Sequence, residues 1–131
     1  MKITQSAISL NVPDVDLSAQ FATRHLGFRE QMAEDGFASL AREDAGFNLI
    51  FLRTGLETFR PERISGSSGQ GLLVVFVVEE IDAVYERLQG EGAPVVTPIE
   101  TEPWGERYFQ IEDPNGIVYQ FVQWVAGPNP S

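Results

Sequence analysis

The sequence contains no cysteine and only one histidine, His25. Without cysteine, neither disulfides nor zinc–thiolate sites can form. A single imidazole cannot supply a two-histidine metal site. The same two shortages remove the Ser–His and Cys–His pairs on which nucleophilic catalysis depends. We therefore expect no catalytic triad, and we interpret His25 as a solvent-facing residue that stabilises the end of a helix.

Basic residues are also scarce, since 9 Lys and Arg stand against 19 Asp and Glu and give a net charge of -10. Binding to nucleic acid would have to overcome repulsion from phosphate, so we expect no nucleic-acid partner. The charge favours a cationic small molecule as ligand, although acidity also serves solubility.

Long apolar runs are missing as well, because the longest one extends only from Leu72 to Val78. That run is far too short to cross a bilayer. Residues 1–6 lack the basic segment and apolar run of a signal peptide. These features predict a cytoplasmic protein with no membrane partner.

The 131 residues, of which 43% are hydrophobic, form one domain's worth of protein. Alternating apolar residues and Asp–Gly or Gly-containing breaks indicate a repeated order of elements. In the first half we predict strands at 7–12, 28–34, 37–42 and 47–52 and a helix at 17–25 that is closed by Gly27. In the second half we predict strands at 72–78, 95–99, 106–112 and 117–123 and a helix at 81–89. Capping and solvation account for the acidic residues before each helix.

The two halves can be superimposed on each other, with Asp14 matching Glu80 and Gly46 matching Gly116. A duplicated βαβββ unit is the simplest explanation. We therefore predict a single α+β domain over 1–131, with a first unit at 1–52 and a second at 72–125. The Ser- and Gly-rich stretch within residues 53–71 indicates a flexible linker or flap that does not pack.

Neither unit has enough strands to close a barrel, so we predict a cupped mixed sheet around a cavity, with the helices on the outer face. Strand parity then gives the residues that face the cavity. They are Ala7, Ser9, Asn48, Ile50, Leu73, Val75, Val118 and Gln120.

This organisation resembles the vicinal oxygen chelate superfamily. Two segments carry the resemblance, LNVPDVDLSAQFATRHLGF at 10–28 and EPWGERYFQIEDPNGIVYQF at 102–121. The superfamily includes glyoxalase I, extradiol dioxygenases, fosfomycin-modifying enzymes and bleomycin-binding resistance proteins. The resemblance covers nearly the whole chain and implies the fold, whereas the same fold hosts both catalysts and binders.

Enzymes of that superfamily hold a divalent ion with a His on the first strand of each unit and a Glu on the last. In this chain the His positions correspond to Ala7 and Leu73, and the Glu positions to Ile50 and Gln120. Only Gln120 offers an oxygen, and a lone amide cannot hold a divalent ion against water. We therefore expect no metal, no other cofactor and no catalytic residue.

The segment from Pro103 to Phe109, followed by the turn at 113–116, looks most like the bleomycin-binding branch. In that branch the drug lies between two subunits and the Trp of this loop borders it, which implies a homodimer. Phe59 has few local partners in sequence and could close over a ligand or dock on the subunit surface. The predicted ligand-binding residues are Trp104, Phe37, Phe47, Asn48, Ile50, Phe59, Ser9, Tyr108 and Gln120.

Two further residues have structural interpretations at this stage. We expect Arg107 to anchor the turn before the last strand by pairing with Asp113 or Glu112. We expect Trp124, at the end of that strand, to serve packing or a dimer contact.

The favoured function is non-catalytic sequestration of a cytotoxic natural product, either a bleomycin-type or an aromatic enediyne-type antibiotic. The alternative is a metal-independent isomerase, cyclase or lyase of natural-product metabolism, whose first titratable candidates are Glu106, Glu102 and Tyr108. The third is a metal-dependent enzyme of glyoxalase or dioxygenase type. A shifted strand register would then bring in Gln5, Ser6 or Asn48 as ligands.

Overall fold

The computed structural model describes residues 1–57, 59–68 and 71–125. It divides into two compact units with the boundary between residues 70 and 71. Each unit contains a four-stranded mixed sheet and one α-helix. The predicted α+β class with two βαβββ units is therefore confirmed. Thr58, Gly69 and Gln70 of the predicted flap lie outside the described residues.

Unit 1 comprises β1 (Ala7–Val12), α1 (Val15–Leu26), β2 (Arg29–Glu34), β3 (Phe37–Ala41) and β4 (Asn48–Arg53). The strand order is β1-β4-β3-β2, with β1 parallel to β4 and the other pairs antiparallel. α1 begins two residues before the predicted start because the Asp14 carboxylate accepts from Leu17 N at 3.2 Å. It ends at Gly27, whose φ of 71° is left-handed, as the sequence predicts.

The sheet of unit 1 has one buried and one more polar face. Leu10 and Val12 alternate with less buried residues along β1 and form part of the buried core, as do Leu49 and Phe51 of β4. The parallel register sets Ala7 beside Asn48 and Ser9 beside Ile50 on the opposite face. These four residues share a face, as the alternation predicts.

Unit 2 comprises β5 (Val74–Val77), α2 (Ile81–Gly90), β6 (Val95–Thr101), β7 (Glu106–Glu112) and β8 (Val118–Trp124). The strand order is β5-β8-β7-β6, with β5 parallel to β8. The side chain of Glu80 makes no capping bond to α2. Instead, Gln123 of β8 accepts from Ile81 N at 3.0 Å, so the adjacent strand supplies the cap.

The turn between β7 and β8 forms as the Asp–Pro–Asn–Gly sequence predicts. The buried Asp113 carboxylate accepts from Asn115 N and Ile117 N, both at 2.9 Å. Gly116 adopts a φ of 89°, which L side chains rarely do. The turn thus uses its own carboxylate to satisfy main-chain donors.

The prediction that the Ser- and Gly-rich stretch at 65–71 does not pack is wrong for the residues of that stretch that the structure describes. The Asn11 side chain donates to the carbonyls of Ile64 and, at 2.9 Å, Gly66. Ser68 N donates back to Asn11 O at 3.1 Å. β1 lies at the edge of its sheet, where main-chain groups are open to such partners. The predicted linker at 53–71 also contains a short 3-10 helix, Glu62–Ile64.

Among the residues that the model describes, no helix is both long enough and apolar enough to cross a membrane.

Candidate functional site

In unit 2, the sheet surface turned away from the helix carries a set of polar and aromatic side chains, which we call the polar face. Alternation along β7 and β8 separates it from the buried residues, which include Phe109, Ile111, Tyr119 and Phe121. The register sets Gln110 opposite Gln120 and Glu106 opposite Trp124. The polar face consists of Thr97, Glu100, Glu102, Trp104, Glu106, Tyr108, Gln110, Gln120 and Trp124.

A chain of hydrogen bonds runs across the polar face. Thr97 Oγ1 donates to Gln110 Oε1 at 2.8 Å, and Gln110 Nε2 donates to Gln120 Oε1 at 2.8 Å. Gln120 Nε2 then donates to Glu106 Oε2 at 3.4 Å. The indole Nε1 of Trp104 donates to the other oxygen of Glu106 at 3.1 Å. Both amides are thereby held in one orientation, and Glu106 receives two neutral donors.

The residues at the metal-ligand positions of the superfamily do not fit a divalent ion. Ala7, Ile50 and Leu73 carry hydrocarbon side chains. The Gln120 oxygen accepts from Gln110 and so is engaged within the network. Within 1–57, 59–68 and 71–125, no three His, Asp or Glu side chains converge as a metal site. We derive no step through a metal.

Tyr108 lies between two carboxylates of the polar face. Its hydroxyl is 3.0 Å from Glu100 Oε1 and 3.2 Å from Glu102 Oε2. The hydrogen bond to Glu100, followed by desolvation and the charges of both carboxylates, raises the pKa of Tyr108 to about 12. At neutral pH the phenol is a hydrogen-bond donor to these carboxylates.

Two tryptophans border Glu106. Trp104, in the turn before β7, is 48% exposed, and Trp124 is 56% exposed. Val125 N donates to Gly105 O at 3.0 Å, which ties the end of β8 to that turn. Trp124 does not fill the core of its unit, and its role in packing or a dimer contact stays a prediction. The alternation of side chains along β8 would have placed Trp124 on the polar face, because it is four residues from Gln120.

Arg107 lies on the opposite face of β7. Its NH2 and Nε atoms donate to the two oxygens of Asp82 at 2.6 and 3.2 Å, and NH1 donates to Thr101 Oγ1 at 2.8 Å. The predicted pairing with Asp113 or Glu112 is wrong, because strand parity turns Arg107 towards the first turn of α2. The pair lowers the pKa of Asp82 and leaves no basic side chain on the polar face.

The prediction that His25 faces solvent is also wrong. The imidazole is 6% exposed and meets Phe21 edge-on, with ring centroids 4.9 Å apart. Its spacing of four residues from Phe21 places both rings on the buried face of α1. His25 is thus a core residue of unit 1.

Four candidate residues of unit 1 lie on the face of its sheet that is turned away from α1, namely Ser9, Phe37, Asn48 and Ile50. Ser9 and Ile50 are register partners, and Phe37 is opposite Leu52. Asn48 Nδ2 is 3.5 Å from Gln31 Oε1, to which Ser39 Oγ also donates at 3.3 Å. Their role in ligand binding remains a prediction.

Two further aromatic candidates of unit 1 lie elsewhere. Phe47 is half-buried just before β4 and lines a shallow cleft with Asn48. Phe59 is only 8% exposed. The expectation that Phe59 has few local partners does not hold, because it is buried and lines a cleft together with Leu52, Leu56 and Ile64.

The chain was compared with known families and structures. The model of the glyoxalase/bleomycin resistance protein/dioxygenase superfamily matches residues 4–121. A crystal structure of a glyoxalase/bleomycin resistance protein/dioxygenase from Nocardioides is 26% identical with a TM-score of 0.81, covering 100% of this chain and 89% of that one. TioX from Micromonospora sp. ML1 is 25% identical with a TM-score of 0.72, covering 94% of this chain and 100% of that one.

Other matches say less about function, because they either share low sequence identity or cover less than half of this chain. Lactoylglutathione lyase from Agrobacterium tumefaciens is 18% identical with a TM-score of 0.73, covering 93% of this chain and 94% of that one, and shows the fold alone. Uncharacterized proteins of Mycobacterium bovis and Mycobacterium tuberculosis are 38% identical over 61 residues, or 47% of this chain. Those matches span only 40% and 36% of the curated relatives' own lengths.

Proposed function

The chain belongs to the glyoxalase/bleomycin resistance protein/dioxygenase superfamily, and on that premise we propose that it is a non-catalytic protein that sequesters a small natural product. The ligand has an aromatic body and a cationic group. Bleomycin-type and aromatic enediyne-type antibiotics are the classes to test first. The observation that carries the proposal is the polar face, where two exposed indoles border three carboxylates.

The carboxylates of the polar face keep their negative charge available for a ligand. Glu106 accepts from an indole and an amide, while Glu100 and Glu102 share the hydroxyl of Tyr108. These donors are neutral, so none of the three charges is offset by a basic side chain of that face. A cation would gain both from the carboxylates and from the face of Trp104.

Sequestration is favoured over metal-independent catalysis because the amides and the Trp104 indole of the polar face are already engaged in hydrogen bonds with its other side chains. Tyr108, like any tyrosine, is protonated in neutral solution and supplies no base there. Catalysis would then use Glu102 or Glu106 as the base. A binder needs no such group and uses the fixed amides and indoles as they stand.

The deciding experiment is native mass spectrometry of the purified protein with a bleomycin-type drug and with an anthraquinone-type enediyne. We expect at least one compound to be retained with its mass unchanged. We also propose a homodimer that takes up to two compounds, an expectation based on the superfamily. A compound whose mass changes on incubation would replace this proposal with the enzymatic one, and loss of both compounds would overturn it.

A further inference from the structure

The cleft of unit 1 that Phe59 lines carries a charge opposite to that of the polar face. We call it the arginine cleft. It has a volume of about 560 Å³ and lies between the ends of β1 and β4, Leu56 and the segment 59–68. This volume is within the roughly 300–1,000 Å³ of small-molecule sites. Its lining residues are Ser9, Asn11, Leu52, Leu56, Phe59, Arg60, Arg63, Ile64, Gly66, Ser67 and Ser68.

One part of the lining is apolar and fixed in place. Leu52, Leu56, Phe59 and Ile64 supply hydrocarbon and aromatic surface, and Phe59 is buried. The side chain of Asn11 holds the segment by donating to the carbonyls of Ile64 and Gly66. The cleft is therefore built before a ligand arrives, which lowers the entropic cost of binding.

The charged part of the lining is basic. Arg60 NH1 donates to the carbonyl oxygens of Glu57 and Phe59, at 2.9 and 2.7 Å, which positions the guanidinium without neutralising it. Arg63 is exposed and forms no ion pair within the described residues. The lining that the structure describes includes no Asp or Glu, and the exposed Glu57 and Glu62 are not part of it.

These two arginines differ from others in the chain. Four of the other arginines pair with a carboxylate at 3.0 Å or less, namely Arg42 with Asp44, Arg53 with Asp35, Arg87 with Glu91 and Arg107 with Asp82. In a chain of net charge -10, two arginines that face an apolar cleft without a carboxylate are available for an external anion.

We propose that the arginine cleft binds a small organic anion, a carboxylate attached to an apolar aromatic or aliphatic body. The guanidinium of Arg63, with that of Arg60 beside it, receives the carboxylate, and the body lies against Phe59 and the leucines. Ser9 and Ser67 offer hydroxyls to the remaining carboxylate lone pairs. The inference does not rest on the proposed function, because all lining residues belong to unit 1 and the preferred charge is opposite.

The probe is 2-naphthoate, with 2-naphthamide as the matched neutral compound, titrated calorimetrically into the full chain. We expect naphthoate to bind and naphthamide to bind about tenfold more weakly, the loss of one charge-assisted interaction. Arg63→Gln should weaken naphthoate binding by about tenfold and leave naphthamide unaffected. Arg63→Lys should restore part of the loss because it restores the charge.

A control separates this site from a general effect of charge. Arg29→Gln makes the same charge change on an exposed position of β2 that does not line the cleft, and it should leave naphthoate binding unchanged. The inference is overturned if the acid and the amide bind equally, if neither binds at about 1 mM, or if folded Arg63→Gln keeps full affinity. The comparison of acid with amide on the unmodified chain decides the matter even if a variant misfolds.

Discussion

Trp104 is the single residue on which the proposed function depends most. Its indole is half-exposed and is oriented by one hydrogen bond to Glu106, so the fold gains little from burying it. Trp104→Ala should weaken binding of the retained antibiotic by roughly 1–3 kcal/mol, as expected for an aromatic hot spot. Calorimetric titration measures this, with Trp104→Phe as the variant that keeps an aromatic ring. Unchanged affinity in folded Trp104→Ala would remove the residue from the site.

Glu106 tests the charge preference separately from the aromatic contact. Glu106→Gln keeps the shape of the side chain and removes its charge, so a cationic compound should bind more weakly, by about 1 kcal/mol. The matched control is Glu86→Gln, an exposed position on α2 away from the polar face. Equal losses in the two variants would mean that only net charge matters and that Glu106 does not contact the ligand.

The hydroxyl of Tyr108 provides a test by pH. Because Glu100 and Glu102 accept hydrogen bonds from the hydroxyl and their charges oppose a phenolate, its pKa is raised from 10.0 to about 12. The stabilisation from these bonds is complete below pH 10 and is lost as pH rises through about 12. Alkaline titration of tyrosinate absorbance should lose a transition near pH 12 in Tyr108→Phe. In Glu100→Gln that transition should move towards pH 10. A Tyr108 transition already near pH 10 in the unmodified chain would contradict the geometry.

At the scale of elements, the start of α2 depends on a residue of another element. The side chain of Gln123 in β8 accepts a hydrogen bond from Ile81 N and caps the helix, because the Glu80 side chain makes no capping bond. Gln123→Ala should lower the free energy of unfolding by about 0.5–2 kcal/mol, the range for losing a helix cap. Urea unfolding measures the change. Gln89→Ala, which removes an exposed amide of α2, should have little effect, and similar losses in both variants would count against the capping role.

The elements themselves could be predicted because their signals are local. Alternation indicates β1, Asp14 and Gly27 mark the two ends of α1, and the carboxylate of Asp113 holds the turn that follows it. These features depend on residues within a few positions of one another, so composition and spacing are sufficient. The bounds of the strands then differ from the predicted ones by only one or two residues.

The partners that escaped prediction are separated in sequence. Arg107 is 25 residues from Asp82, and Asn11 is 53 residues from Ile64. Which residues meet at such separations is decided by sheet order and register, and parity turns Arg107 away from the nearer Asp113. The same reasoning applies to the candidate site, where Trp104, Gln120 and Glu106 could each be named but the hydrogen bonds that join them could not.

For the whole molecule, the net charge of -10 should act on the rate at which a ligand arrives. A cationic antibiotic associates with an acidic protein faster than a neutral antibiotic does. Salt screens that attraction over a Debye length of about 8–10 Å at 0.10–0.15 M ionic strength. Raising the salt concentration should therefore lower the association rate constant, while the dissociation rate constant, set by contacts with Trp104 and Glu106, changes less. Stopped-flow fluorescence at several ionic strengths measures both constants. An association rate constant that does not change with salt concentration would mean that the ligand is recognised through its aromatic body alone. The carboxylates of the polar face would then have no role in attracting the ligand.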